Sequence, residues 1–166
     1  MGFGERGRAL SEAEVKSRVM AKVAAIKEEK YRYTNPYVLT AEEVEKAGIG
    51  ECMEMSAVVL KLLRNLGIEA KPLGMYVKYG VESYQHMAVV ARINDEVYVI
   101  DPKEGVWARG IKEYFEYWKN TYKDLGFTGM KVFTFERVPK EPKKISVRRE
   151  WKIYSQKEEK KLLLTI

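Results

Sequence analysis

The chain has 166 residues, of which 46% are hydrophobic and 11% aromatic, and its formal net charge is +6. This length and composition fit one domain with its own hydrophobic core. No stretch approaches the roughly 20 apolar residues that a membrane-spanning helix needs, and the first residues turn polar too early for a signal peptide. We therefore expect a soluble, cytoplasmic protein with no membrane partner.

A single cysteine, Cys52, excludes an internal disulfide. The sequence also lacks the paired-cysteine or clustered-histidine spacing of a zinc site, so we expect no metal and no cofactor. Any cysteine chemistry must therefore run through Cys52.

Positive charge is concentrated towards the C-terminal end, where residues 140–161 hold nine Lys or Arg against four Glu. A basic segment can bind nucleic acid or an acidic partner, but a solvated lysine-rich surface is the simpler explanation. Lys and Glu are abundant, while Gln and Asn number only two and four. This usage favours a heat-adapted source.

Two capping boxes begin the first two predicted helices. Ser11-Glu-Ala-Glu14 predicts an amphipathic helix over residues 11–30, and Thr40-Ala-Glu-Glu43 predicts a short helix that ends at Gly48. Residues 31–39 between them are expected to form an extended connection.

A central helix is predicted from Cys52 to Leu66, because this run is apolar on most sides and is closed by Gly67. Pro72 places the following strand near a sheet edge or a bend. The remaining predicted elements are a strand at Ile68–Val77, a hairpin of His86–Ile93 and Glu96–Asp101, a helix at Ile111–Leu125, and strands at Met130–Val138 and Ile145–Tyr154. They predict an α+β fold in which the central helix packs on an antiparallel sheet.

We place one domain at residues 1–138. Pro139-Lys-Glu-Pro142 breaks the strand pattern there. Residues 139–166 are therefore expected to form a basic C-terminal extension that contains the last strand.

Cys52 stands at the start of the central helix, two residues after Gly50. Helix N-termini carry partial positive charge and unpaired N–H groups, which favour a thiolate and can donate to an oxyanion. Gly50 allows a tight backbone approach without a clashing Cβ. A lone cysteine is also often a small buried hydrophobic residue, so the position alone leaves both interpretations open.

His86, the only histidine, and Asp101 lie on the two strands of the predicted hairpin. If Asn94-Asp95 is a two-residue turn, Ala88 faces Asp101, and His86 shares the face of Ala88. His86 and Asp101 then become diagonal neighbours within side-chain reach. The spacing predicts a base with its orienting carboxylate, although a lone surface histidine would also explain His86.

The stretch GIGECMEMSAVVLKLLRNLGIEAKPLG, followed by HMAVVARINDEVYVIDP, resembles the core of the transglutaminase-like superfamily, whose fold is related to that of papain. The shared pattern is a Gly-x-Cys helix start, a Leu-rich helix ending in Gly-Ile, and a His strand paired with an Asp-Pro strand. The resemblance covers roughly residues 31–102, is of prokaryotic or archaeal type, and leaves residues 103–166 unexplained.

The resemblance implies a catalytic triad in which Cys52 is the nucleophile, His86 the base and later the acid, and Asp101 the residue that orients the imidazole. The reaction would be acyl transfer from a peptide bond or carboxamide through a thioester. The backbone N–H of Cys52 would supply one oxyanion donor. Tyr33 is the first candidate for a second donor, with Tyr31 and Asn35 behind it, although a packing role is the simpler explanation for Tyr33.

The sequence departs from the family pattern at Ala88, where an aromatic residue is common two positions after the histidine. It also shows neither the acidic cluster of calcium-dependent crosslinking enzymes nor the paired-cysteine zinc site of peptide N-glycanases. Neither specialised activity is therefore implied.

The sequence favours a cysteine peptidase or amidase that acts on a peptide or protein, with hydrolysis preferred over crosslinking. The alternative is a catalytically silent binding module for a protein or peptide partner, and nucleic-acid binding through residues 140–161 is a weaker third hypothesis. We expect Met53, Met55 and Met75 to fill the core rather than to line a substrate groove. Glu54 is expected to have a structural role. Lys71, Lys78 and Arg92 are cations that could attract an acidic substrate.

Overall fold

The structure, a computed structural model, describes residues 9–28, 40–134 and 149–152. No helix in these three ranges is long and apolar enough to cross a bilayer. The helices are α1 (Glu12–Ala24), α2 (Ala41–Ala47), α3 (Cys52–Asn65) and α4 (Gly110–Thr121), and the strands are β1 (Lys27–Glu28), β2 (Ile49–Gly50), β3 (Glu69–Tyr79), β4 (Glu82–Ile93), β5 (Glu96–Asp101), β6 (Val106–Arg109), β7 (Phe127–Thr134) and β8 (Arg149–Lys152).

Both predicted capping boxes are present. The Ser11 side chain accepts from the N–H of Glu14, and the Glu14 carboxylate accepts from the N–H of Ser11 in return. Thr40 and Glu43 form the same reciprocal pair at the start of α2. Gly48 ends α2 with φ at 70°, a left-handed conformation that glycine adopts without steric cost.

Helix α1 ends at Ala24, six residues before the predicted end at residue 30. The chain leaves the helix there because β1 pairs in parallel with β2, which immediately precedes α3. This small two-stranded sheet fixes the backbone in front of Cys52.

Six strands form one antiparallel sheet in the order β6-β5-β4-β3-β7-β8. Pro72 was expected to mark an edge or a bend, but β3 is an interior strand between β4 and β7. The described pairing of β3 with β7 begins at Leu73, one residue after the proline. On the other side of β3, Pro72 faces Val89 of β4, so the predicted sheet edge at Pro72 is wrong.

The predicted hairpin between β4 and β5 is confirmed. Asn94 and Asp95 both have positive φ, at 50° and 66°, as a tight two-residue turn requires. Ile93 faces Glu96 across the turn, as predicted. The turn therefore sets the register of every residue further along both strands.

Strand β4 begins at Glu82, four residues before the predicted start at His86. It pairs with β3 from Glu82, opposite Tyr79, to Arg92, opposite Glu69, whereas the pairing with β5 reaches back only to Val89. His86 thus lies in the part of β4 that extends past the β5 ladder.

Helices cover both faces of the sheet. Val89 and Ala91 pack in a buried cluster with residues of α1 and α3, whereas Ala88 and Val90 pack with residues of α4. Alternation along β4 places His86 on the same face as Ala88. The predicted α+β fold, with α3 packed on an antiparallel sheet, is confirmed.

The C-terminal elements differ in extent from the prediction. Helix α4 stops at Thr121, and a 3-10 turn at Lys123–Leu125 completes the predicted helical run. Strand β6 was not predicted, whereas β8 falls inside the strand predicted at Ile145–Tyr154. The predicted connection at residues 31–39 and most of the extension at 139–166 lie outside the described residues, so the boundary at residue 138 stays a prediction.

Candidate active site

Cys52 is the first residue of α3, and its side chain is partly exposed to solvent. Glu51 precedes it in extended conformation, so the chain turns sharply into the helix at the cysteine. The N–H groups of the first helical turn have no acceptor within the helix. The sulfur therefore lies beside backbone donors at the positive end of the helix dipole.

Tight packing holds this helix start in place. Glu54, only 2% exposed, accepts a hydrogen bond from the N–H of Glu51 at 3.1 Å, which agrees with the structural role predicted for it. A Cβ added at Gly50 would lie 3.2 Å from Glu54 Cβ and 3.2 Å from Val44 Cγ1. A glycine is therefore required for the close approach that was predicted at position 50.

Apolar side chains lie beside the thiol. Cys52 and Met53 pack against Met87 and Phe133, and Tyr76 meets the Phe133 ring edge-on at 5.2 Å between centroids. These side chains form an apolar patch next to Cys52.

Met55 and Met75 are core residues, as predicted. Met55 is 4% exposed and Met75 is 2% exposed. Only Met53 of the three borders the site.

His86 and Asp101 are joined by a hydrogen bond, with 2.7 Å between His86 Nε2 and Asp101 Oδ2. Both side chains are completely buried. The hairpin register predicted this diagonal contact. In the buried pair, the imidazole is held with Nδ1 directed away from the carboxylate.

Asp101 accepts two further hydrogen bonds. The Tyr114 hydroxyl donates to Oδ2 at 2.6 Å, and the N–H of Glu104 donates to Oδ1 at 3.0 Å. Burial, together with the charge of Asp101 and its hydrogen bond, raises the pKa of Tyr114 well above its ordinary value. The Tyr114 hydroxyl therefore stays protonated and acts as a donor to Asp101.

Electrostatics favour the charged form of His86. Burial by itself lowers the pKa of His86, but the charge and hydrogen bond of Asp101, followed by those of Cys52, outweigh burial and raise the pKa to about 9. The imidazole is therefore protonated at neutral pH.

The Cys52 side chain lies close enough to His86 to affect its pKa. Among the described residues, His86 Nδ1 has no hydrogen-bond partner of standard geometry. The Cys52 side chain nonetheless contributes to the raised pKa of His86 by hydrogen bonding and charge. We interpret this as a loose thiol–imidazole contact, which is common in sites without substrate.

Two aromatic rings flank the imidazole. Tyr84 stacks on His86 at 5.8 Å between centroids, and Trp118 of α4 meets it edge-on at 5.4 Å. Trp118 is 1% exposed and belongs to the core. The two rings restrict rotation of His86.

Sequence reasoning missed the contribution of α4. The predicted helix at Ile111–Leu125 was given no part in the site. In the structure Tyr114 contacts Asp101, and Tyr117 and Tyr122 both donate to the Glu104 carboxylate. The available signal was the density of tyrosines on that face, but only the fold shows which carboxylates they reach. Tyr33, the predicted second oxyanion donor, and its alternatives Tyr31 and Asn35 lie outside the described residues.

The three cations predicted to attract an acidic substrate lie on strands β3 and β4. Arg92 forms an ion pair with Glu69 at 3.9 Å and lies six residues from His86 along β4, about 20 Å in an extended strand. Lys71 and Lys78 lie on β3. Within residues 9–28, 40–134 and 149–152, no group of three His, Cys, Asp or Glu side chains is arranged to hold a metal ion.

The fold is of the α+β class, with a helix that begins at Cys52 packed on an antiparallel sheet. A family model described as the transglutaminase-like superfamily matches residues 6–109. The chain belongs to the transglutaminase-like superfamily. Helix α4 lies beyond the matched range, so Tyr114 and Trp118 come from outside it.

Solved structures provide a distant comparison. Calcium-bound LapG of Legionella pneumophila is 12% identical with a TM-score of 0.53, over 97% of this chain and 83% of that one. A candidate cysteine protease from Cytophaga hutchinsonii is 15% identical with a TM-score of 0.47, over 64% of this chain. A second LapG structure is 15% identical with a TM-score of 0.46, over 60% of this chain.

The chain spans 38% of the Cytophaga hutchinsonii protein and 58% of LapG in that second structure. At these identities the calcium-bound LapG structure supports the fold alone. A search of curated protein sequences found no match.

Proposed function

We propose that the protein is a cysteine hydrolase that cleaves a peptide or carboxamide bond through a thioester on Cys52. The observation that carries this proposal is the buried 2.7 Å contact between His86 and Asp101. Cys52, at the start of α3, contributes to the raised pKa of the same imidazole. A base held by a carboxylate, beside a thiol at a helix N-terminus, is the arrangement that thiol acyl transfer requires.

The acylation step assigns a role to each residue. At neutral pH the proton is already held by His86, so Cys52 attacks the carbonyl carbon as the thiolate and forms a C–S bond. The resulting oxyanion accepts from the N–H of Cys52. When the C–N bond breaks, His86 returns its proton to the leaving amine, and the acyl group remains on Cys52 as a thioester.

Deacylation uses the same residues in the reverse order. His86 accepts a proton from water, the hydroxide adds to the thioester, and the C–S bond breaks to release a carboxylic acid and restore the Cys52 thiolate beside protonated His86. Partial exposure of Cys52 supports hydrolysis over crosslinking, because water reaches the sulfur as readily as an amine would.

A peptide library digested in ¹⁸O-labelled water and read by mass spectrometry tests the proposal. We expect cleavage by the wild type with ¹⁸O in each new C-terminal carboxylate, and none by Cys52→Ala. Incorporation of an added fluorescent alkylamine instead of ¹⁸O would indicate amine transfer. Equal digestion by the wild type and Cys52→Ala would overturn the assignment of Cys52.

A further inference from the structure

Lys103 is a cation connected to the histidine side of the site. It follows Asp101 by two residues, and its Nζ lies 2.6 Å from the Tyr84 hydroxyl. The ring of Tyr84 in turn stacks on His86. Lys103 is therefore only one side chain away from the imidazole.

The same lysine is also connected to the cysteine side. Its Nζ lies 3.8 Å from Oε1 of Glu28, and Glu28 is the β1 residue paired with Gly50 of β2, two residues before Cys52. Contacts thus run from Lys103 to the elements that carry both His86 and Cys52. The ammonium group therefore lies beside both of these elements.

Lys103 and Tyr84 have hydrogen-bond donors available for an anion. The ammonium has three N–H groups, and one of them is directed at the Tyr84 oxygen, so the phenol proton of Tyr84 remains free to donate elsewhere. Glu28, at 3.8 Å, is beyond direct hydrogen-bond distance. The side chains of Lys103 and Glu28 are 25% and 36% exposed, so a ligand can reach the ammonium.

We propose that Lys103 and Tyr84 form a carboxylate-binding subsite beside Cys52. The preferred substrate then carries a carboxylate close to the scissile carbonyl, either on an acidic side chain or at the C-terminus of a peptide. This inference rests on the proposed function, since it describes the substrate of the same thiol.

The charge state of Lys103 supports the subsite. Burial lowers the pKa of Lys103, but the Tyr84 hydrogen bond and the charges of Tyr84, Cys52 and Glu28 together raise it above its ordinary value. The ammonium is therefore charged at neutral pH, and a carboxylate bound there would form a charge-assisted hydrogen bond.

Two alkylating reagents test the subsite. Iodoacetate and iodoacetamide both alkylate the thiolate through their CH₂ carbon with loss of iodide. They differ in that only iodoacetate carries a carboxylate. Cys52 is the only thiol in the chain, so each rate constant reports on this site alone. The ratio of the iodoacetate rate constant to the iodoacetamide rate constant cancels changes in the reactivity of the thiol itself.

We expect Lys103→Gln to lower this ratio about tenfold, the effect of losing one hydrogen bond to a charged group. Glu28→Gln should raise it, because the competing carboxylate is removed. Lys119→Gln, which changes the same charge at an exposed position on α4, should leave the ratio unchanged.

The outcomes separate the two proposals. If Cys52 of the wild type reacts slowly with both reagents, the proposed function fails, and the subsite fails with it. If Cys52 reacts rapidly but Lys103→Gln and Lys119→Gln give the same ratio as the wild type, only the subsite is overturned.

Protection experiments identify the source of the carboxylate. Three short peptides are compared as protectants of Cys52 against iodoacetamide: one with an internal Glu and an amidated end, one without acidic residues and with a free carboxyl end, and one neutral and amidated. Protection by the first or the second that is lost in Lys103→Gln assigns the carboxylate to a side chain or to a terminus. Equal protection by all three, or by none at millimolar concentration, would contradict the subsite.

Discussion

Asp101 Oδ2 accepts from His86 Nε2 at 2.7 Å and from the Tyr114 hydroxyl at 2.6 Å, so one carboxylate oxygen joins the hairpin to helix α4. All three side chains are buried. Asp101 is thus held where its charge raises the pKa of His86, against the effect of burial, which lowers it.

The protonation of His86 can be measured without interference, since the chain has one histidine. An NMR titration of its ring resonances should give a pKa of about 9. In Asp101→Asn the pKa should fall well below that value, because burial is then opposed by Cys52 alone. An Asp101→Asn protein that titrates like the wild type would remove Asp101 from its orienting role.

Tyr114→Phe removes one donor from Asp101 and leaves the ring in the core. The unfolding free energy should fall by about 2 kcal/mol, the value of a hydrogen bond to a charged group, as measured by denaturant unfolding. The pKa of His86 should rise, because the positive end of the phenol dipole no longer offsets the carboxylate charge. A stability loss with an unchanged His86 titration would mean that Tyr114 only packs.

Stability should depend on pH through His86. Its pKa is raised from 6.5 to about 9 in the folded protein, so the folded state binds the proton more tightly than the unfolded chain. This contribution, on the order of 3 kcal/mol, is fully present below pH 6.5 and is lost as pH rises through about 9. Denaturant unfolding at a series of pH values measures it. A His86→Gln variant should show a flatter profile over the same interval, and an equally steep one would assign the dependence to another group.

Gly50→Ala should destabilise the packing around the start of helix α3, which begins at Cys52. The new Cβ would lie 3.2 Å from Val44 Cγ1 and from Glu54 Cβ, which we expect to cost about 1–3 kcal/mol in unfolding free energy. Adding Val44→Ala should recover part of the loss, because it removes one of the two close contacts. Strictly additive effects in this double-mutant cycle would show that the crowding is absent.

The hairpin contact could be predicted from the sequence because a two-residue turn fixes register by counting. Asn94-Asp95 determines which residues face each other, and His86 and Asp101 follow from that count. The capping box at Ser11 and the helix start at Cys52 are equally local signals. Short-range geometry therefore determined most of what was predicted correctly.

The remaining parts of the site depend on tertiary packing. Tyr114 reaches Asp101 only because α4 folds back across the sheet face that carries His86. Lys103 reaches Tyr84 because the turn after Asp101 returns beside the first half of β4. Neither contact has a fixed sequence spacing, so periodicity and motif spacing could not predict them.

The decisive measurement of whether His86 activates Cys52 is alkylation by iodoacetamide at neutral pH, compared between the wild type and His86→Ala. We expect rapid alkylation of the wild type and a rate at least about a hundredfold lower in His86→Ala, since the imidazolium that stabilises the thiolate is gone. Slow alkylation at the same rate in both folded proteins would show that Cys52 and His86 do not act together.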